Sequence, residues 1–304
     1  MRVFVTGASG WIGSAVVAEL LANGHEVLGL ARSDASAEAI AAAGAEVVRG
    51  EITDLDVLRD AASVCDAVVH LAFRHDIAFA GDFDTAIASN QAAIETIGEA
   101  LAGSDKAFAI ASGLAGLRSG QIATERDRPE PTPGPGGRVR NELTALNLAE
   151  RGVRSMSVRF AATVHGTRDP GFIGLTFAAD RAHGTAAYVG DGQNRWPAVH
   201  VTDAARLVRL GIERAPAGSV LHAAAEEGVA FREIAEAIGR RLRMPATAIS
   251  AEQAGQHFGF LGHFIAMDMP ASSANTRQLL DWEPTGPGLI ADIAAGAYDP
   301  APVA

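Results

Sequence analysis

The sequence predicts an α/β protein built on a doubly wound parallel sheet, with a smaller C-terminal lobe that binds the substrate. Three observations support this prediction. Between residues 3 and 160, short apolar runs alternate with helical segments, as in parallel sheets whose strands are joined by helices. The first apolar run leads directly into a glycine-rich turn and a helix. A chain of 304 residues is long enough to bury one α/β core and one smaller lobe.

Composition narrows the possible partners and compartments. The formal net charge of −11 argues against nucleic acid or an anionic membrane as a partner. Cys65 is the only cysteine, so no internal disulfide is possible and a cytoplasmic location is expected. Met1 leads directly into a core strand, so we expect neither a signal peptide nor a membrane span.

The first strand, turn and helix predict a dinucleotide site. Val3–Val5 is typical of a buried strand, and Ser14–Ala22 of a helix that ends at Gly24. In such a turn the first glycine allows the tight bend, the second lets the backbone approach a pyrophosphate, and the third lets the helix pack on the strand. This context favours dinucleotide binding over an ordinary turn. The predicted contacts are Gly7, Ser9, Gly10, Trp11, Ile12 and Gly13.

The end of the second strand, Glu26–Ala31, bears on the choice of cofactor. A residue here meets the adenosine ribose, where an acid accepts from the 2′-hydroxyl of NAD and a guanidinium pairs with the 2′-phosphate of NADP. Arg32 and Ser33 therefore favour NADP(H) over NAD(H), whereas Asp34 keeps NAD(H) as the alternative.

The remaining pattern completes the sheet. A loop over residues 114–137, crowded with Pro and Gly, predicts a lid or a mobile segment. The later strands are expected at residues 45–49, 67–70, 107–111 and 155–160, and helices at 35–43, 55–62, 84–101, 139–150, 204–214 and 231–242.

Four stretches resemble the extended branch of the short-chain dehydrogenase/reductase superfamily, which includes nucleotide-sugar epimerases and dehydratases. Thr6–Gly13 has the form Thr-Gly-x-x-Gly-x-x-Gly, and Arg159–Gly166 is similar to Arg-x-x-Asn-x-Tyr-Gly. Gly190–Ala204 and Trp282–Thr285 match two later motifs. The resemblance implies a Rossmann-type NADP-binding domain over residues 1–166, with residues 197–224 returning to it. It implies a substrate-binding lobe over residues 167–196 and 225–304.

The same resemblance implies further cofactor contacts. Glu51 and Ile52 match the family's adenine contacts, and Leu71, Ala72 and Phe73 match its turn beside the centre of the cofactor. Asn90 aligns with a helix asparagine, although a packing role is equally plausible for it. Ala161 and Thr163 are expected to border the nicotinamide.

The family's usual proton relay is absent. Its Tyr-x-x-x-Lys motif has no match, because neither Tyr188 nor Tyr298 is followed by a lysine at that spacing and Lys106 is the only lysine. The best register puts Arg138 at the tyrosine position and Glu142 at the lysine position, with an ordinary solvated helix start as the alternative.

Other catalytic candidates follow from position. Ser112 matches the family's serine, although a shift of one residue would put Gly113 there. His75 follows the fourth strand at the end of the sheet where ligands bind, with a solvated loop histidine as the alternative. His165 replaces a family tyrosine and is a second proton-donor candidate.

These observations favour an NADP(H)-dependent oxidoreductase that acts on a small apolar carbonyl or alcohol compound by hydride transfer, with a proton donor other than tyrosine. Arg195 supports the alternative of a nucleotide-sugar epimerase or dehydratase, and the missing Tyr-Lys pair and Ala162 oppose it. A second alternative is a catalytically silent NADP-binding redox sensor.

Two further expectations concern partners and metals. The aromatic segment His257–Met267 predicts either a wall of an apolar substrate pocket or packing against a partner subunit. Residues 84–101 and 139–150 match the family's dimer-forming helices, so a homodimer is expected. His257 and His263 lack the spacing and the acid of a metal site, so no metal is expected.

Overall fold

The structure is a computed structural model that describes residues 1–299. The last five residues of the predicted substrate-binding lobe, 300–304, lie outside the described residues. Its strands are β1 Arg2–Thr6, β2 Glu26–Ala31, β3 Glu46–Arg49, β4 Ala67–His70, β5 Ala107–Gly113, β6 Arg154–Phe160, β7 Thr163–His165, β8 Ala186–Val189, β9 Arg195–His200, β10 Ser219–Ala223, β11 Glu226–Ala230 and β12 Ala246–Ile249.

The helices connect and cover these strands. They are α1 Trp11–Ala22, α2 Asp34–Ala42, α3 Leu55–Val64, α4 His75–Phe79, α5 Phe83–Leu101, α6 Arg138–Asn147, α7 Phe172–His183, α8 Val201–Arg214, α9 Phe231–Leu242, α10 Ala251–Phe258, α11 Gly262–Ile265, α12 Ala274–Leu280 and α13 Leu289–Ala295. Within residues 1–299, no helix combines the length and the apolar character needed to cross a membrane.

A seven-stranded sheet in the order β10-β6-β5-β4-β1-β2-β3 forms the centre of the molecule. Its strands pair in parallel, with Val3 opposite Val27 on one side and Ala67 on the other. The order reverses between β1 and β4, which is the switch point where such sheets bind ligands. The predicted Rossmann-type α/β fold is confirmed.

Both faces of this sheet are buried, as the apolar strand runs require. Val3 and Val5 of β1 pack on one face in a cluster with Leu207 of α8. Phe4 points to the other face and packs in a cluster with Leu58 of α3 and Ile94 of α5. A parallel sheet covered on both faces leaves the ends of its strands as the place for a site.

A separate apolar cluster lies in the later part of the chain. Trp196 of β9 is fully buried there with Phe231 and Ile238 of α9 and Leu289 of α13. Two small sheets, ordered β11-β9-β7 and β12-β8, accompany this cluster. The division into two lobes at the predicted boundaries stays a prediction.

Three local features differ from the sequence-based expectations. Residues that follow β4, expected as a loop, form the short helix α4. The helix expected at residues 139–150 is α6 followed by a 3₁₀ turn at Leu148–Arg151. One point of the loop predicted as a lid or a mobile segment is held in place, because the buried Glu125 carboxylate accepts hydrogen bonds from the Thr276 backbone N–H at 2.8 Å and hydroxyl at 2.7 Å.

The predicted dimer helices α5 and α6 lie side by side. Gln91 of α5 donates a hydrogen bond to the Thr144 hydroxyl of α6 at 2.7 Å. The homodimer itself stays a prediction.

Candidate functional site

A cavity of about 530 Å³ opens at the carboxyl ends of the central strands. Most of the predicted cofactor contacts share its wall. Lining residues are Gly7, Ser9, Gly10, Trp11, Ile12, Gly13, Arg32, Glu51, Ile52, Leu71, Ala72 and Phe73 from the predictions, and Leu30, Ser36, Gly50, Arg74, His75, Asp76, Phe79, Ala111, Phe160, Pro170, Gly171, Phe172 and Leu175.

The glycine turn is built for close backbone approach. Gly7 has a φ of 69°, and a Cβ there would lie 2.9 Å from the Ala72 backbone nitrogen. A Cβ on Gly13 would lie 1.9 Å from the Gly7 carbonyl oxygen, so only glycine lets α1 start against the strand. Among residues 1–299 no side chain caps the N-terminus of α1, which leaves its first N–H groups free. This cradle fits the pyrophosphate of a dinucleotide.

Charged side chains gather at the end of the cavity beside β2. Arg32 is exposed, and its guanidinium lies 3.5 Å from the Asp76 carboxylate. Arg74 holds the same carboxylate at 3.1 Å, and this hydrogen bond lowers the pKa of Asp76 to about 2. Asp34 lies outside the cavity wall in an ion pair with Arg49 at 2.7 Å.

Ser33 and Asn90, both predicted as cofactor contacts, do not line the cavity and form hydrogen bonds within the protein. The Ser33 hydroxyl accepts from the Ser36 backbone N–H at 3.2 Å and caps α2. Asn90 is buried, and its Oδ1 lies 2.9 Å from His70 Nε2.

Asn90 belongs to a buried polar chain that links the glycine turn to α6. The Thr6 hydroxyl lies 2.8 Å from His70 Nδ1, and the Asn90 side-chain amide donates to Asn141 Oδ1 at 3.0 Å. Burial lowers the pKa of His70 to about 4, so its ring is neutral and fits between one donor and one acceptor. His70 and Asn141 were missed, although a histidine at the end of an apolar strand was a signal.

Ser112 and Glu142 lie together behind the cavity wall. The Ser112 hydroxyl donates to Glu142 Oε2 at 2.7 Å, and Arg159 Nε donates to Oε1 at 2.9 Å. The side chains of Arg159 and Glu142 are 1% and 3% exposed. Because the serine proton is directed at a carboxylate, the Ser112 oxygen has only lone pairs left for another group. Arg159 was named in the sequence only as part of a motif.

Arg138 also lies behind the wall. Its guanidinium carbon is 4.4 Å from the centre of the Phe73 ring, and its Nη2 is 3.5 Å from the Ala111 carbonyl oxygen. Phe73 and Ala111 both line the cavity. Burial lowers the pKa of Arg138 and the Glu142 charge raises it, but a guanidinium remains charged at neutral pH. Arg138 is therefore a fixed positive charge under this part of the cavity.

His75 is the catalytic candidate that lines the cavity. Its ring packs edge-on to Phe73, with centroids 5.1 Å apart, and against Phe79, with centroids 5.4 Å apart. Partial desolvation, and then the positive charge of Arg138, lower the pKa of His75. A histidine imidazole can donate or accept a proton.

His165 lies apart from the cavity in a buried cluster. Its Nδ1 is 2.7 Å from the Asp292 carboxylate, and its ring lies edge-on to His200 with centroids 5.5 Å apart. Its Nε2 is buried without a hydrogen-bond partner among residues 1–299. Burial lowers the pKa of His165. The predicted nicotinamide contacts Ala161 and Thr163 are buried too, and the Thr163 hydroxyl donates to the Pro197 carbonyl at 2.6 Å.

The ion pair between Glu142 and Arg159 should be important for stability. Glu142→Leu leaves the buried guanidinium without its carboxylate, and we expect a loss of about 3–5 kcal/mol in the free energy of unfolding. Chemical denaturation measures this loss. Arg232→Ala, which removes an exposed ion pair with Glu236, should cost less than about 1 kcal/mol. Equal losses in the two variants would contradict the proposed importance of the buried pair.

Comparison with known proteins shows which family and which proteins this sequence is similar to. A family model described as the NAD dependent epimerase/dehydratase family matches residues 3–224. An uncharacterized protein of Schizosaccharomyces pombe is 44% identical over 98% of this chain and 100% of its own length. An uncharacterized protein of Saccharomyces cerevisiae is 40% identical over 97% of this chain and 98% of its own length.

Among solved structures, the dTDP-glucose 4,6-dehydratase DesIV from Streptomyces venezuelae, with NAD and TYD bound, has a TM-score of 0.78. It is 22% identical, and the match covers 98% of this chain and 96% of that chain. This similarity supports the fold.

Proposed function

The chain belongs to the NAD dependent epimerase/dehydratase family, and we propose that it is an NADP(H)-dependent oxidoreductase acting on a small apolar carbonyl or alcohol compound. The observation that carries this proposal is the shape of one cavity. Its wall carries the glycine cradle and also His75, whose ring packs with those of Phe73 and Phe79. A proton-exchanging group beside an apolar wall suits hydride chemistry on a carbonyl group.

The glycine turn and Arg32 support a binding place for the cofactor. Gly7, Gly10 and Gly13 would hold the pyrophosphate, and Arg32 would meet the adenosine end. When bound, a nicotinamide cofactor supplies or accepts the hydride, and the protein has to position it and manage charge and protons.

His75 is the proposed proton donor in the direction of carbonyl reduction. Its position on the cavity wall meets the requirement that a general acid reach the substrate oxygen. Arg138, behind Phe73, would stabilise negative charge developing on that oxygen.

The nucleotide-sugar alternative depends mainly on Arg195. The Arg195 guanidinium makes a two-pronged ion pair with Asp268, with Nε and Nη2 at 3.0 and 2.9 Å from its two oxygens. An arginine engaged in this way has little charge left to bind a diphosphate. The contact therefore weakens the argument from Arg195, while the family match itself supports the nucleotide-sugar alternative equally.

Cofactor consumption over a substrate panel tests the proposal. We expect oxidation of NADPH, faster than of NADH, with at least one of a set of small aldehydes, ketones and imines. Binding of NADPH without turnover of any of them would favour the redox sensor, and conversion of a nucleotide sugar without net NADPH use would favour the epimerase.

Arg32 provides a test of cofactor choice. Arg32→Ala removes a charge-assisted contact to the 2′-phosphate worth about 1.5–3 kcal/mol, so the affinity for NADPH should fall roughly 10- to 150-fold with little change for NADH. Fluorescence titration of both cofactors measures this. Arg59→Ala is the matched control, because Arg59 pairs with Asp56 on α3 and lies outside the cavity wall. Equal losses for the two cofactors would argue against the assignment of Arg32.

A further inference from the structure

We propose that the substrate carries a flat aromatic or conjugated ring that stacks on Phe79 while its carbonyl group points to His75. This inference rests on the proposed function and specifies its substrate class. It comes from a run of ring contacts along one part of the cavity wall.

The contacts form one continuous series from the interior to the surface. Arg138 lies over Phe73, Phe73 meets His75, and His75 meets Phe79. Phe79 in turn packs against Phe260, with ring centroids 4.9 Å apart and planes tilted by 30°. The proposed proton donor is therefore flanked by aromatic rings within one wall.

The apolar side chains at the outer end of this series are exposed to solvent. Phe79 is 53% exposed and Phe260 41%, and Leu175, which lines the same cavity, is 39% exposed. Seven large hydrophobic side chains are exposed among residues 1–299, and these are three of them. Clustering of apolar surface at the mouth of a cavity is typical of a binding site, because a ligand that covers it gains the hydrophobic free energy.

The spacing of His75 and Phe79 favours a ring with an attached carbonyl. These residues are four apart on α4, so their side chains lie on one face of the helix. Their ring centroids are 5.4 Å apart, so a substituent on a ring that lies against Phe79 can reach the His75 imidazole. A saturated chain would fill the same space but would not match the flat face of Phe79.

The segment that carries Phe260 was expected either to form a pocket wall or to pack on a partner subunit. Phe264 of the same segment packs on Phe172, another lining residue, with centroids 5.3 Å apart. The segment therefore contacts the cavity wall at two points, through Phe79 and through Phe172. This placement supports its role as part of the substrate pocket.

The test compares an aromatic ligand with its saturated counterpart in two ways. Calorimetry on the NADP⁺-loaded protein measures binding of benzamide and cyclohexanecarboxamide, and steady-state kinetics measures kcat/KM for benzaldehyde and cyclohexanecarboxaldehyde. Ring stacking should favour the aromatic member of each pair by about 2- to 12-fold. Phe79→Leu, which keeps an apolar side chain, should bring both ratios close to one.

Leu279→Ala serves as the control, since Leu279 is exposed but lies on α12 outside the cavity wall, and it should leave both ratios unchanged. Equal binding of the two amides by the unmodified protein would overturn the inference, whatever the turnover. A binding preference for benzamide that Phe79→Leu abolishes, without turnover of either aldehyde, would support the stacking site and contradict the oxidoreductase. If Phe79→Leu altered the oligomeric state and left the ratios intact, Phe79 would be assigned to a subunit interface instead.

Discussion

Replacing His75 with glutamine should lower kcat for carbonyl reduction by about 10²- to 10⁴-fold while leaving NADPH affinity unchanged. The reason is that His75 is the proposed general acid, whereas the glycine cradle that holds the cofactor is a separate part of the cavity wall. Glutamine can still form hydrogen bonds but cannot give up a proton. Stopped-flow and steady-state kinetics, with fluorescence titration of NADPH, measure the two effects separately.

Because His75 is the proposed proton donor, kcat/KM for reduction should depend on pH. Because partial desolvation and the Arg138 charge lower the pKa of His75 below 6.5, the acid form is lost as pH rises through that lower value. The kcat/KM for reduction should therefore decrease with rising pH, and the decrease should be absent in His75→Gln. His25→Gln, which lies outside the cavity wall at the end of β2 opposite Arg32, should behave like the unmodified protein. A profile that His75→Gln does not change would assign the proton transfer to another group.

Replacing Gly13 with alanine should weaken binding of NADPH and NADH alike. The added Cβ would lie 1.9 Å from the Gly7 carbonyl oxygen, so α1 has to move away from the turn that cradles the pyrophosphate. Overpacking of this kind costs about 1–3 kcal/mol. If the substitution raises the free energy of the cofactor-bound protein by this amount, affinity drops by roughly 5- to 150-fold.

Gly255 of α10 provides the matched control for this substitution. A Cβ at Gly255 would meet nothing within 4 Å, so Gly255→Ala should leave cofactor affinity unchanged and slightly favour the helix. Thermal denaturation of both variants separates loss of binding from loss of fold. Unchanged affinity in a folded Gly13→Ala protein would contradict the assigned role of the cradle.

Sequence reasoning succeeded for features that a few adjacent residues determine. The alternation of apolar strands and helices predicted the central sheet, and the spacing of Gly7, Gly10 and Gly13 predicted a turn with no room for side chains. Both depend on backbone geometry that a few adjacent residues determine. The family resemblance placed most of its cofactor contacts on a single cavity wall.

Contacts between side chains that are distant in sequence could not be predicted in this way. Glu142 was a candidate acid, but its carboxylate is occupied by Arg159, which lies on a strand 17 residues away. His75 and His165 each come a few residues after a predicted strand, yet His165 lies in β7 and is buried against Asp292, 127 residues further along the chain. A pattern of residue types does not reveal which of two similar histidines faces the cavity, because that depends on how separate elements pack.

The central claim is hydride transfer between the cofactor and a carbonyl carbon, and isotope transfer tests it most directly. The best substrate from the carbonyl panel is incubated with NADPH deuterated at the transferring position, and the product is examined by mass spectrometry. The account predicts an alcohol that carries one deuterium on the former carbonyl carbon, with one NADP⁺ formed per product. A product without deuterium, or substrate isomerised with the cofactor returned unchanged, would contradict it.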